Sequence, residues 1–288
     1  MILVKINGGL GNQLFQYAAG RALAERHGTE LALDLSWFDN RPGGNTPRKY
    51  ELHRYPIQAR VTTAIEQFLC SFYQGRIIRR IPFLPRRWHH FREKHFQYDS
   101  RYTTLPDQVY LDGYWQSSRY FEGIENIIRK ELQPFTLPGK ANSDLMDAMA
   151  HSSSVALHIR RGDYLSNPTA INYHGVCSLD YYHAAIEFMV EKLQNPTFYI
   201  FSDDLAWAKA NLNIQHPVHY VANNSGDNAF QDLHLISSCK NQIIANSSFS
   251  WWGAWLNPDP IKIVIAPKRW FSVAKNTDTL YPDGWIKL

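Results

Sequence analysis

The feature that most narrows what this chain can fold into is an alternation of apolar β-type runs with helical segments between residues 155 and 266. Residues 155–159, 198–201, 218–221, 242–245 and 261–266 read as strands, and residues 179–193, 205–212, 230–238 and 249–256 between them place apolar side chains at helical spacing. Strands separated by helices in this way predict a doubly wound parallel sheet. In such a sheet ligands bind outside the carboxyl ends of the strands, so function is expected in the segments that follow each strand.

The amino-terminal part begins with the same grammar. Residues 2–6 are β-rich and end in Asn7-Gly8-Gly9-Leu10-Gly11-Asn12-Gln13, after which Leu14, Phe15, Ala18, Ala19, Ala22 and Leu23 recur at helical spacing, and residues 31–35 form a second strand. This is one βαβ unit. Residues 36–100 are irregular and read as an insertion, residues 109–111 as a strand, 119–132 as a helix, and the Pro- and Gly-punctuated residues 133–140 as a linker. The expected division is a first domain over 1–140, with the insertion at about 36–100, and a second over 141–288. At 288 residues and 44% hydrophobic, the chain has enough apolar surface for a core in each.

Three post-strand segments carry chemistry. In His158-Ile159-Arg160-Arg161-Gly162-Asp163-Tyr164, strand alternation puts His158 and Arg160 on one face. A guanidinium holds a phosphate by paired hydrogen bonds and stays charged at any relevant pH, so Arg160 suits a diphosphate. The plainer alternative is an ion pair of Arg160 or Arg161 with Asp163 in a structural turn. Phe201-Ser202-Asp203-Asp204 offers Ser202 and Asp203 to a donor, or simply a helix N-cap. In Asn246-Ser247-Ser248-Phe249-Ser250-Trp251-Trp252, backbone N–H groups and serine hydroxyls at a helix N-terminus suit an anion. Trp251, Trp252 and Trp255 are spaced for packing along a helix and read as core.

Composition excludes several classes. A net charge of +4 from 30 basic and 26 acidic residues is too small for a nucleic-acid coat. Three cysteines with no CxxC pair suggest neither a disulfide framework nor a zinc site. The adjacent Asp203 and Asp204 lack the further carboxylates that a hard cation needs, so no metal is expected. No run approaches the ~18 apolar residues of a membrane span, and the amino terminus is too short an apolar run for a signal peptide. The expectation is a cytoplasmic protein. The basic run from Arg76 to Lys94 reads as a solvated surface, or as peripheral contact with the inner membrane face if the acceptor is lipid-linked.

Together GGLGNQLFQYAAGRAL at 8–23, HIRRGDY at 158–164 and NSSFSWWGAWL at 246–256 resemble the α1,2-fucosyltransferases, an inverting glycosyltransferase family. The resemblance spans almost the whole chain. It implies the GT-B arrangement, two Rossmann-like α/β domains whose parallel sheets face across a cleft. It also implies transfer of L-fucose from GDP-β-L-fucose to the 2-hydroxyl of a terminal galactose, in an acceptor such as lactose, N-acetyllactosamine or a lipid-linked oligosaccharide. GDP-fucose is a substrate, so no cofactor is implied. Arg160 would contact the donor β-phosphate, Ser247 and Ser248 the pyrophosphate, with Ser202, Asp203, Asn246 and Phe249 beside the donor. Asn12 and Gln13 would lie on the acceptor side. For the general base, Asp163 and His158 are candidates beside a base-free mechanism.

Rival readings are a transferase for another nucleotide sugar, a non-catalytic sugar-binding protein of the same fold, and an NAD(P)-dependent reductase. The last takes Gly9 and Gly11 as a dinucleotide loop and Asp34 as the ribose ligand, but Leu14 stands where a small residue is needed.

Overall fold

The computed structural model describes residues 1–39, 48–67, 88–136, 138–162 and 168–288. The chain divides into two compact units, Met1–Thr136 with Asn276–Pro282, and Leu137–Lys275 with Asp283–Leu288.

In the first unit β1 (Ile2–Lys5), β2 (Leu31–Asp34), β3 (Arg60–Val61), β4 (His89–Arg92) and β5 (Val109–Asp112) form a sheet in the order β3-β2-β1-β5-β4, and every pairing is parallel. β1 and β2 are joined by α1 (Leu10–His27), which buries Leu14, Phe15, Ala18, Ala19 and Leu23 and stops at Gly28 in the left-handed region, where the glycine N–H closes onto Ala24 and Glu25. Short α2 (Ser36–Asp39) follows β2, and α3 (Glu125–Glu131) follows β5. Tyr17 and Arg21 of α1 both bond to the carboxylate of Glu131, which ties α3 to α1.

The expected insertion at 36–100 is a correction, because it supplies the outer strands β3 and β4. Polar, basic His89-His90-Phe91-Arg92 hides its strand character: only Phe91 is buried, as edge strands allow. Much of the basic run lies outside the described residues; its last part is β4 and the turn beyond. The expected helix at 119–132 is a short 3-10 turn, then α3, with Gly123 at φ 90° between them.

In the second unit, helices α4 (Lys140–Ala150), α5 (Pro168–His174), α6 (Leu179–Lys192), α7 (Leu205–Asn211), α8 (Phe230–Ser238) and α9 (Ser248–Leu256) accompany β6 (Ser153–Ile159), β7 (Pro196–Ser202), β8 (Val218–Tyr220), β9 (Asn241–Ile243), β10 (Val264–Ala266) and β11 (Ile286–Lys287). The sheet order is β11-β10-β9-β6-β7-β8, again parallel throughout. Both faces are covered, so β6 is buried from Ser154 to Ile159 and apolar through its Val155-Ala156-Leu157 centre. Val155, Leu157 and Ile159 pack with α6, whereas Ala156, Tyr199 and Phe201 pack with α8. The second unit is not continuous to the carboxyl terminus as expected, because residues 276–282 belong to the first. Thr279 accepts hydrogen bonds there from the Tyr98 N–H and the Ser117 hydroxyl.

α1 reaches the first sheet closely at Gly20, where a Cβ would stand 2.3 Å from Val4 Cγ2 and 2.9 Å from Leu31 Cδ1. Gly20→Ala overpacks this contact and should lower unfolding free energy by about 1–3 kcal/mol despite alanine's better helix propensity. Urea denaturation monitored by circular dichroism measures it.

Candidate functional site

Strand order reverses beside β6 in the second sheet: β7 and β8 lie to one side, β9 and β10 to the other. The carboxyl ends of β6 and β9 therefore flank the switch point, where an open α/β sheet leaves a crevice for ligand. β6 runs into His158-Ile159-Arg160-Arg161-Gly162, and β9 into Asn246-Ser247 and the start of α9. β7, with Ile159 opposite Ser202, brings Ser202-Asp203-Asp204 to the other flank of the β6 turn. All three segments singled out in the sequence thus meet at one sheet edge. Asp163 lies outside the described residues.

Arg160 is partly open to solvent, and its Nη1 lies 3.2 Å from Asp203 Oδ2. Arg161 donates its backbone N–H to Asp203 Oδ1 at 2.8 Å, and its guanidinium lies over the Trp207 ring, 3.9 Å from the centroid. Ser202 Oγ accepts the Asp204 N–H at 2.9 Å, and Asp204 caps α7 by accepting the Trp207 N–H at 3.0 Å. The capping role belongs to Asp204, which leaves Asp203 to face the arginine turn.

His158 points to the face of β6 occupied by Phe249, whose ring centroid is 5.8 Å away. It is 6% exposed, and its Nδ1 is buried without a hydrogen-bond partner. Burial first, and then the Arg160 charge, pushes its pKa down to about 3. A ring so weakly basic is a poor proton acceptor at neutral pH.

At the other flank, Ser247 caps α9 by accepting the Phe249 N–H at 3.3 Å, while Ser248 and Phe249 are half-buried at the first turn. Asn246 is 3% exposed. Its Nδ2 donates to the carbonyls of His174, Gly175 and Trp270 at 3.0–3.2 Å, and its Oδ1 accepts from the Cys177 thiol. Its side chain is thereby a tie between loops, one that a strand-end asparagine does not announce in sequence. Trp251 and Trp252 are fully buried, and Trp251 stacks with Trp255 at 6.3 Å and 9°.

In the first unit the strand order reverses between β1 and β5. Asn12, half-buried at the start of α1, accepts from Gln116 Nε2 at 2.8 Å, across that switch point. Gln13 is fully buried: Nε2 donates to Gly8 and Lys49 carbonyls and Oε1 accepts the Glu51 N–H. Gln16 likewise accepts the Asn7 backbone N–H and donates to Asn7 Oδ1 and the Gly113 carbonyl. These glutamines brace the loop. Asp34, the ribose ligand of the reductase reading, is 3% exposed and accepts from the Tyr110 hydroxyl and the Ser36 N–H.

One half-buried carboxylate has no motif around it in the sequence. Asp232 in the first turn of α8 accepts from Asn224 Nδ2 at 2.7 Å, and burial pushes its pKa up to about 6. Nothing but its place after β8 marks it in sequence. Among the described residues no group of three His, Cys, Asp or Glu side chains is arranged to hold a metal ion, and no helix is long and apolar enough to cross a membrane.

The model of glycosyl transferase family 11 matches residues 79–288. The chain belongs to glycosyl transferase family 11. It is 33% identical to an α-1,2-colitosyltransferase of Escherichia coli, over 100% of this chain and 99% of that protein. A galactoside α-(1,2)-fucosyltransferase 2 of Sus scrofa is 24% identical over 86% of this chain and 67% of its own. Among solved structures, the fucosyltransferase NodZ from Bradyrhizobium superposes with a TM-score of 0.51 at 14% identity, covering 89% of this chain and 93% of that one. The protein is therefore a glycosyltransferase, and its two parallel α/β units are those of the GT-B class.

Because His158 is held neutral, the unfolded chain binds its proton first as pH falls. The stability it contributes is fully present above pH 6.5 and is lost as pH falls toward 3. The stability difference between the parent protein and His158→Asn should therefore shrink across that window, by about 1.4 kcal/mol per pH unit. Urea titrations of both proteins at stepped pH check it.

Proposed function

We propose that this family 11 glycosyltransferase moves L-fucose from GDP-β-L-fucose to the 2-hydroxyl of a terminal galactose, with inversion and without a metal ion. The observation that carries the proposal is the junction of the Arg160 turn with the first turn of α9 at the β6–β9 switch point. A guanidinium from one flank and helix-terminal N–H and serine groups from the other make a site for a diphosphate.

Inversion needs the acceptor oxygen to attack the anomeric carbon opposite the departing GDP. Negative charge then grows on the β-phosphate oxygens as the glycosidic bond breaks. Arg160 is fixed in place beforehand and stabilises that charge, which is the larger contribution expected from such a site. Ser247 and Ser248 hold the pyrophosphate. Asp232 suits the guanine edge, since a carboxylate accepts hydrogen bonds from a ring N–H and an exocyclic amine. Asn12, held by the buried Gln116, offers its amide group to acceptor hydroxyls. The low basicity of His158 leaves Asp163 as the candidate base, beside a loosely ionising route in which the hydroxyl loses its proton late.

A second donor is favoured by a specific observation: the E. coli relative that matches the full chain is a colitosyltransferase by name. Colitose differs from fucose by lacking the 3-hydroxyl. GDP itself would be held by the same groups in either case.

Purified protein with EDTA, GDP-fucose and lactose or N-acetyllactosamine should yield an α1,2-linked product, identified by mass and NMR. Transfer from GDP-colitose but not GDP-fucose would assign the second donor, and no transfer from a panel of nucleotide sugars would refute the catalytic reading. Arg160→Ala should lower kcat about 10²–10³-fold, measured by GDP release, with a much smaller effect on acceptor KM.

A further inference from the structure

We propose that Asp203 is a positioning residue for transfer: it acts through Arg160, holding the guanidinium at the end of β6, rather than by touching the nucleotide sugar. This rests on the proposal that Arg160 meets the donor diphosphate.

One carboxylate serves both arginines of the turn. Asp203 Oδ2 takes the Arg160 guanidinium at 3.2 Å, and Oδ1 takes the Arg161 backbone N–H at 2.8 Å. A Cβ on Gly162 would stand 3.3 Å from the same carboxyl group, so the turn closes around it. Arg161 is meanwhile drawn away by its stack on Trp207. Asp203 is relieved of helix capping by Asp204, and Ser202 fixes the Asp204 N–H. The carboxylate is thus anchored by its own turn and committed to its neighbour's.

Charge decides against Asp203 as a ligand of the diphosphate. A carboxylate beside a diphosphate repels it, whereas one behind an arginine orients the cation that meets it. An ion pair with both side chains about a quarter exposed adds little folding stability. Its consequence lies in where it holds the guanidinium: a small misplacement of a catalytic group is enough to slow a reaction many-fold. The incoming diphosphate shares Arg160 with Asp203, which also limits how tightly product GDP is retained.

The test is a double-mutant cycle with Asp203→Asn, Arg160→Ala and the pair. Asparagine keeps an acceptor for the Arg161 N–H and removes only the charge. Read-outs are kcat for transfer, acceptor KM, the Kd of GDP by calorimetry, and the thermal midpoint. Asp203→Asn should lower kcat about ten-fold or more, leave acceptor KM and the thermal midpoint near parent values, and have no further effect on kcat once Arg160 is alanine. Parent-like kcat in Asp203→Asn overturns the proposal. So does an effect of Asp203→Asn that persists in full on the Arg160→Ala background, which would place Asp203 on the donor itself. If Arg160→Ala alone keeps parent kcat and GDP affinity, the diphosphate assignment fails instead. Asp203→Glu, which restores the charge, should recover part of the lost kcat; if Asp203→Asn melts early, this variant and the cycle in kcat carry the decision.

Discussion

The pairing of β6 with β7 on one side and β9 on the other is the constraint on which the second unit depends. Parallel pairing requires the chain to cross back between successive strands, through helices between β6, β7, β8, β9 and β10, so the carboxyl ends of β6, β7 and β9 lie together at one edge. Segments 42 and more residues apart in the chain are thereby delivered to the same few ångströms, as the Arg161–Asp203 bond records. Because the strand order reverses at β6, the helices that follow β6 and β9 leave on opposite faces, and the edge between them stays open to a ligand.

The same constraint dictates which side chains remain available. Residues that look alike in a motif divide into solvent-reaching and enclosed groups according to whether they lie beyond the strand end or within the packed layers. Arg160 lies beyond the strand and is partly solvent-exposed. His158, two residues earlier, is inside against Phe249, and its surroundings keep it neutral. Asn246 and Gln13 have their polar atoms satisfied by backbone groups of other loops, which makes them determinants of loop shape. Each is a buried amide, and a buried amide without partners would be strongly unfavourable. Their bonds therefore hold the loops firmly rather than wait for substrate.

Both units repeat one architectural solution with different chemistry. In the first, neutral amides gather at the β1–β5 reversal, with Gln16 joining Asn7 to Gly113 and Gln116 joining Asn12. In the second, cations, carboxylates and a helix N-terminus gather beside β6. The neutral amides brace the loops at the first reversal, and the charged set at the second suits a diphosphate, which accords with a family 11 glycosyltransferase.

Most of the second sheet was legible in the sequence, because strands buried on both faces are continuous apolar runs and their helices have a distinct period. β4 was not legible, since an edge strand buries only one residue in four and the rest are His and Arg. Nor was the return of residues 276–282 to the first unit, which depends on hydrogen bonds to Thr279 from residues more than 160 positions away. The motifs by themselves determined the family, the parallel architecture and Arg160 as the anion-binding candidate, because strand ends and residue chemistry are local properties. Only the tertiary structure decided that Asp203 faces Arg160, that Asp204 is the cap, that His158 is neutral and that Asn246 and Gln13 are braces. Those roles depend on burial and on partners brought from other strands, and neither is written in local sequence.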